Sequence, residues 1–244
     1  KDPGKYKKHI LSLVHQTEVD LIVPLSDLDQ QILADAVGDF MALGCKVSVS
    51  KPETVRACVD KKISYAFCGK AGLPMPESKF RLDECDDVGP SVFKPILGSG
   101  SADTCRIESR DDLKAFVDGV HMVQEWVEGT EYGLDIFNDL NGKFVSVCVK
   151  RKLLMRSGET DRSVVVRNPG IEALARKISL ALQHVGNLDV DIIETHDKDL
   201  FCIDFNPRFG GGYPATHKAG MNYLQALVDD FLGRPINLPH SPKE

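Results

Sequence analysis

The sequence predicts a mixed α/β and α+β chain: part of a parallel-sheet unit first, then a larger strand-rich part. Three observations carry this. Up to about residue 50, helical and strand patterns alternate α-β-α-β, which implies parallel strands covered by helices. Beyond about residue 76, short strand-like runs dominate, with helical patterns between them. Near the C-terminal end, two strand patterns (188–193 and 201–206) flank the polar turn 196–199, and both carry oxygen-bearing side chains.

The elements follow in order. Residues 6–16 put Ile10, Leu11, Leu13 and Val14 on one helical face, and 20–24 read as a short buried strand. Ser26 or Asp27 is the N-cap of a helix carrying Leu28, Ile32, Leu33, Ala36, Val37 and Phe40; Gly44 ends it, and 46–50 form the next strand. These strands are too few for a doubly wound domain, and the chain opens at Lys1, so an N-terminal piece is expected to be absent. Pro52 suits the first turn of a helix running through Val55, Cys58, Val59 and Ile63 to about Ala71. Pro74 and Pro76 then block helix continuation and favour extended chain. Strands are predicted at 91–95, 104–108, 120–126, 132–138 and 144–150, the last two joined by the hairpin turn Asn141-Gly142. Helices are predicted at 110–117, 171–185 and 223–232.

Bulk numbers bound the function. The 244 residues, 42% hydrophobic and 27% charged, are enough for a sizeable core. A net charge of −6 argues against a nucleic acid or an anionic membrane as partner, and no apolar run approaches the length of a membrane span. The seven cysteines are dispersed without a CxxC pair, as expected of reduced thiols in a cytoplasmic protein.

Three stretches carry chemistry. In the C-terminal hairpin, Asp191 is brought close to Asp204 and Asn206. Two carboxylates and an amide oxygen suit a hard cation such as Mg²⁺, which takes its remaining ligands from water and phosphate. Arg208 follows, a guanidinium shaped for phosphate or carboxylate, and then Gly210-Gly211-Gly212. A turn-rich hairpin with solvated charges is the plainer alternative. The second stretch is Phe93-Lys94-Pro95 followed by Gly98-Ser99-Gly100-Ser101: a lysine at a strand end and small residues whose backbone N–H groups can turn toward an anion, or simply a hairpin loop. It matches neither GxxxxGK[ST] nor GxGxxG. The third, Glu125-Trp126-Val127-Glu128-Gly129-Thr130-Glu131, joins two strands and offers backbone groups to an adenine edge and a carboxylate to ribose hydroxyls, or is a surface loop with solvated glutamates.

Taken in order with Asp60-Lys61 and Gly72-Leu73-Pro74-Met75-Pro76, these pieces resemble the ATP-grasp superfamily, and within it ligases similar to the carbamoyl phosphate synthetase large subunit. The resemblance covers about residues 52–235. It implies two α+β lobes gripping ATP, about 52–123 and 124–244, preceded by residues 1–51 as the second half of an N-terminal α/β domain. By resemblance, Lys61 and Lys94 contact ATP phosphates, Gly98, Ser99, Gly100 and Ser101 close over them, Glu125, Trp126 and Val127 hold adenine, and Glu131 holds ribose. Asp191, Asp204 and Asn206 hold one or two Mg²⁺, with Mn²⁺ as a substitute. Arg208 stabilises the transferring phosphoryl group or the substrate carboxylate, and Arg151, Arg156 and the turn at Gly158-Glu159-Thr160 shape the acceptor pocket, with Arg156 counted among the catalytic groups. The family usually has Glu where Asp204 stands; the shorter side chain makes a bridge between two metals less assured.

The implied reaction is carboxylate–amine ligation with Mg·ATP through an acylphosphate. Phosphoryl transfer asks a protein mainly to align groups and neutralise charge. The partners are ATP, a small carboxylate and an amine; a homodimer is compatible with the chain. Two alternatives stay open: carbamoyl or carboxy phosphate synthesis from bicarbonate, and a non-catalytic ATP-binding module. His217, the histidine nearest the hairpin in sequence, reads as a packing or surface residue.

Overall fold

The computed structural model describes residues 2–98, 103–156 and 159–243, residue 159 by its backbone alone. Asp2 caps α1 (Pro3–Thr17) by accepting from the Gly4 and Lys5 N–H groups. β1 (Leu21–Ile22) leads to Ser26, whose hydroxyl accepts from the Leu28 N–H and starts α2 (Asp27–Asp35). α3 (Val37–Met41) follows after a break at Ala36, and β2 (Lys46–Val47) returns parallel to β1. Val14, Leu33, Phe40, Val47 and Val49 form a core of their own, which Val55 joins. The α-β-α-β reading of this region holds.

The single helix expected from Pro52 to Ala71 is two. α4 (Pro52–Val59) stops at Asp60, which is extended (φ −99°, ψ 107°) and caps α5 (Lys61–Ala71) through the Lys62 and Ile63 N–H groups. An aspartate that bonds its own backbone competes with helix continuation, and here it wins. The break sets Lys61 at the first position of a new helix, facing the interior of the molecule.

β3 (Ser78–Lys79), β4 (Ser91–Pro95), β5 (Cys105–Ile107) and β6 (His121–Glu125) form an antiparallel sheet in the order β3-β6-β4-β5. The helix expected at 110–117 is a 3₁₀ segment, Arg110–Ala115, because Leu113 leaves helical geometry (φ −88°, ψ 21°). β7 (Thr130–Asn138), β8 (Phe144–Arg156), β9 (Glu159–Val166), β10 (Gly186–Glu194) and β11 (Leu200–Asn206) build a second antiparallel sheet, β11-β10-β7-β8-β9, with α6 (Pro169–Leu182) between β9 and β10. No strand is predicted between Lys150 and α6, yet β8 runs six residues further and β9 pairs with it. Charged and apolar residues mix on both faces here, and two register shifts interrupt the period of two, which hides the strands in the sequence.

One face of the larger sheet buries Leu134, Ile136, Val149, Leu188, Val190 and Ile192 against α6 and the α4–α5 pair. Each large aliphatic side chain removed from water contributes about 1.5–3 kcal/mol. The other face is divided. Its far part, with Phe137 and Cys148, is covered by α7 (Tyr213–Lys218) and α8 (Tyr223–Phe231), Phe137 stacking on Tyr223 at 4.8 Å between centroids. Its near part is a polar stripe, and the candidate site lies there.

Candidate active site

Register assembles the polar stripe. Asp191 lies directly across from Asp204, and Asp189 from Asn206. On the next strand Asp189 opposes Asp135 and Asp191 opposes Gly133, and Gly133 in turn opposes Lys150. Alternation therefore sends Asp189, Asp191, Asp204, Asn206, Asp135, Lys150 and Lys152 to one face. The alternation read along β11 is interrupted: the register shifts so that Ile203 has no partner, which turns Cys202 and Phe205 into the core and leaves Ile203 half-buried.

Two cavities meet at this stripe. The first, about 440 Å³, lies between the two sheets. The smaller sheet contributes Val92, Lys94, Arg106, Gln124 and Glu125, and α5 contributes Lys61. The connector 126–129 closes one side, and Glu131, Asp191, Ile193, Ile203 and Asp204 come from the larger sheet. The second, about 410 Å³, is lined by Lys150, Lys152, Asp189, Asn206 and Arg208, by the β8–β9 residues Met155 and Thr160, and by residues 25–28 at the start of α2. Asp191 and Asp204 line both.

In the first cavity Lys94 is buried, its ammonium donating to Gln124 Oε1 at 2.9 Å; Gln124 Nε2 donates to Ser78 Oγ at 3.0 Å, which locks the amide. Burial pushes the Lys94 ammonium down to about 8, against the pull of Asp204 and with Lys61 adding to the fall. Lys61 Nζ donates to the Gly98 carbonyl at 2.8 Å and stands 3.9 Å from Asp204. Burial raises the Asp204 carboxyl, opposed by Lys61 and Lys94. The Glu125 N–H donates to the Glu77 carbonyl and the Trp126 N–H to the Pro90 carbonyl, so both groups serve the sheet. The Arg106 guanidinium lies 4.6 Å from the Trp126 ring centre. Gly129 is required by close approach, since a Cβ there would lie 2.3 Å from the Glu194 carbonyl oxygen.

In the second cavity every cation has a carboxylate partner. Lys150 pairs with Asp135, both buried, and Asp135 also accepts from Thr216 and Asn187. Lys152 Nζ sits 2.7 Å from Asp191 Oδ1 and 3.8 Å from Glu131. Arg208 meets Asp189 through Nη1 at 3.1 Å and both oxygens of Asp27 at 3.0 Å. Burial, with Asp191 and Asp135 nearby, pushes the Asp189 carboxyl up to about 7.

The residues singled out in the sequence thus divide. Lys61, Lys94, Gly98, Glu125, Trp126, Val127 and Glu131 come together in the first cavity; Asn206 and Arg208 lie in the second; Asp191 and Asp204 belong to both. Ser99, Gly100, Ser101 and Gly158 lie outside the described residues. Arg156 is exposed at the end of β8, and among the described residues neither it nor Arg151 lines either cavity, whereas Thr160 lines the second. Arg208 is engaged by Asp27 and Asp189 rather than standing free. Lys150, Lys152, Asp135, Gln124 and Asp27 were missed. Lysines two apart on a strand pattern were the available signal for the first two, since both must face the same way.

Asp191, Asp204 and Asn206 present hard oxygen donors on one face, the donor type that Mg²⁺ takes. Among the described residues no group of three or more His, Cys, Asp or Glu stands ready to hold a metal by itself. Three such donors fit a hard cation that draws its remaining ligands from phosphate and water. Among the described residues no helix is long and apolar enough to cross a membrane.

Comparison with known proteins places this geometry. A model of the ATP-grasp domain matches residues 58–212, more than half of the chain. The structure is similar to biotin carboxylase of Campylobacter jejuni in complex with β,γ-ATP (TM-score 0.76, 15% identity, covering 97% of this chain and 60% of that one). It is similar to an L-amino acid ligase from Bacillus licheniformis (0.73, 16% identity, 95% and 61%). It is also similar to D-alanine–D-alanine ligase from Bacillus anthracis complexed with ATP (0.69, 18% identity, 93% and 83%). At these identities the likeness is one of fold, and the chain spans about 60% of the length of the biotin carboxylase. On the family match and the two-sheet cleft together, the chain belongs to the ATP-grasp family.

Proposed function

We propose that this chain is the ATP-binding and phosphoryl-transfer part of an ATP-dependent carboxylate–amine ligase. The observation that carries the reading is the sharing of Asp191 and Asp204 by two adjoining cavities. The first would take the nucleotide. Its apolar residues Val92, Ile193 and Ile203 suit the flat base, Trp126 and Val127 flank it, and Glu131 is available to ribose hydroxyls. Lys94 and Lys61 would meet the phosphates, with Gln124 aiming Lys94. The second would take the acceptor carboxylate and then the amine.

Asp191, Asp204 and Asn206 would hold Mg²⁺, with Mn²⁺ as a substitute; the cation supplies charge neutralisation of the phosphate oxygens. The residues of the chain do the rest by position. Lys94 and Lys61 orient the triphosphate so that its terminal phosphoryl group points toward the second cavity. Arg208, held between Asp27 and Asp189, is aligned to receive an acceptor carboxylate or the phosphoryl oxygens. A substrate carboxylate oxygen attacks the γ-phosphorus, the bond to the bridging oxygen breaks, and ADP leaves. The amine nitrogen then attacks the acylphosphate carbonyl carbon, phosphate departs, and the nitrogen loses its proton. Fixed charges in a closed cleft favour the first step because they need no reorganisation as charge develops.

The test is ADP and phosphate release by the chain in its full-length context with Mg·ATP and a panel of carboxylates and amines. Turnover that needs both a carboxylate and an amine supports the reading; tight nucleotide binding with no turnover across the panel contradicts it.

A further inference from the structure

The rim of the second cavity differs from its floor. The floor is charged, as described above. The rim carries Leu25 and Leu28 from the start of α2, Met155 from the β8 extension, and Phe209 after β11. Leu25 is 65% exposed, Leu28 73% and Met155 39%. Single exposed aliphatic residues need no explanation, but these come from two segments far apart in sequence and converge on one opening. The position of Met155 has a structural cause. In a regular strand Lys152 and Met155, three residues apart, would point to opposite faces. The register of β8 against β9 shifts between Lys152 and Leu154 and again between Leu154 and Met155. Bulges of this kind re-aim side chains, and here both residues line the same cavity.

We propose that the acceptor of this enzyme is an amphipathic small molecule: a polar head that meets Arg208, Asn206 and Lys152, and an apolar side chain or tail that covers Leu25, Leu28 and Met155. This inference rests on the ligase reading above and adds the class of acceptor. A charged tail would lose hydration against these three apolar side chains. An apolar tail removes both its own surface and that of the rim from water.

The experiment uses pairs of acceptors that differ in the tail. With Mg·ATP present, stabilisation against heat and phosphate release are measured for glycine, aspartate and lysine against leucine, methionine and phenylalanine, and, with a fixed amine added, for acetate against 4-methylpentanoate. The apolar-tailed members are expected to half-saturate at concentrations about tenfold lower or more. Leu28→Asn, which removes apolar surface at a mostly exposed position without adding charge, is expected to cut the preference for apolar-tailed over tail-less acceptors by about tenfold. The inference is overturned if charged or tail-less acceptors are preferred, if no apolar-tailed member binds, or if Leu28→Asn leaves the ratio of apolar-tailed to tail-less acceptors unchanged. The two readings fail separately. Turnover without a tail preference overturns this inference alone, whereas Mg·ATP binding with no turnover by any acceptor overturns the ligase reading and this inference with it.

Discussion

The two cavities share two carboxylates and little else. In the first, Lys94 donates to an uncharged amide, leaving its charge for an incoming anion, while Lys61 donates to a backbone carbonyl with Asp204 3.9 Å away. In the second, Lys150, Lys152 and Arg208 are each matched to Asp135, Asp191, or Asp27 and Asp189. A site with spare positive charge recruits a polyanion, whereas a neutralised site positions its ligand through shape and geometry. The difference also separates what each lysine does for the fold, and mutations can be chosen to break it.

The largest effect is expected at the neutralised side. Asp135→Ala removes the carboxylate that pairs with the buried Lys150, leaving only the more distant Asp189, and the expected cost is about 3–5 kcal/mol of unfolding free energy, read from the denaturant midpoint. A loss under about 1 kcal/mol would mean that Lys150 finds another partner or water. Lys94→Met makes the opposite case: it removes a desolvated charge at near-constant volume, so stability should hold or rise. Affinity for Mg·ATP should fall about 10- to 100-fold by calorimetry, as expected for one charge-assisted contact. Equal losses of stability in both variants would erase the contrast between the cavities. Gly210→Ala tests the second cavity alone. A Cβ there would lie 2.3 Å from Asp189 Oδ2, so Asp189 must swing away from Arg208. Melting should show a loss of about 1–3 kcal/mol, with nucleotide affinity kept.

The smallest effect is a pH dependence. Burial holds the Lys94 ammonium at about 8, so in the free protein it loses its proton as pH rises through that value. If, as proposed, the protonated form is the one that meets phosphate, affinity for Mg·ATP should fall above about pH 8, by up to about tenfold per pH unit. Lys94→Arg, which stays charged, should flatten the profile. An unchanged slope in that variant would assign the titration to another group.

The first cavity was largely legible in the sequence because its residues lie in short local patterns: a lysine at a strand end, a connector with Gly129, acids alternating with core residues in the hairpin. The second was not. Asp27 and Arg208 are 181 positions apart, and only the packing of the first unit against β11 joins them. Asp135, Lys150 and Asp189 become neighbours through strand register, which no single segment encodes. The α4–α5 break had a signal, an aspartate able to cap, but the apolar period continued across Asp60 and favoured one long helix. β9 was concealed by charged residues and by the same bulges that turn Met155 to the rim.

The claim on which the rest depends is that nucleotide and acceptor occupy separate cavities joined at Asp191 and Asp204. A crystal structure with Mg²⁺ and a non-hydrolysable ATP analogue tests it most directly. The account predicts the base beside Trp126 and Val127, the triphosphate running along Lys94 and Lys61, and its terminal phosphate at Asp191 and Asp204. Nucleotide found in the second cavity, or both carboxylates still paired with lysines and turned from the phosphates, would contradict it.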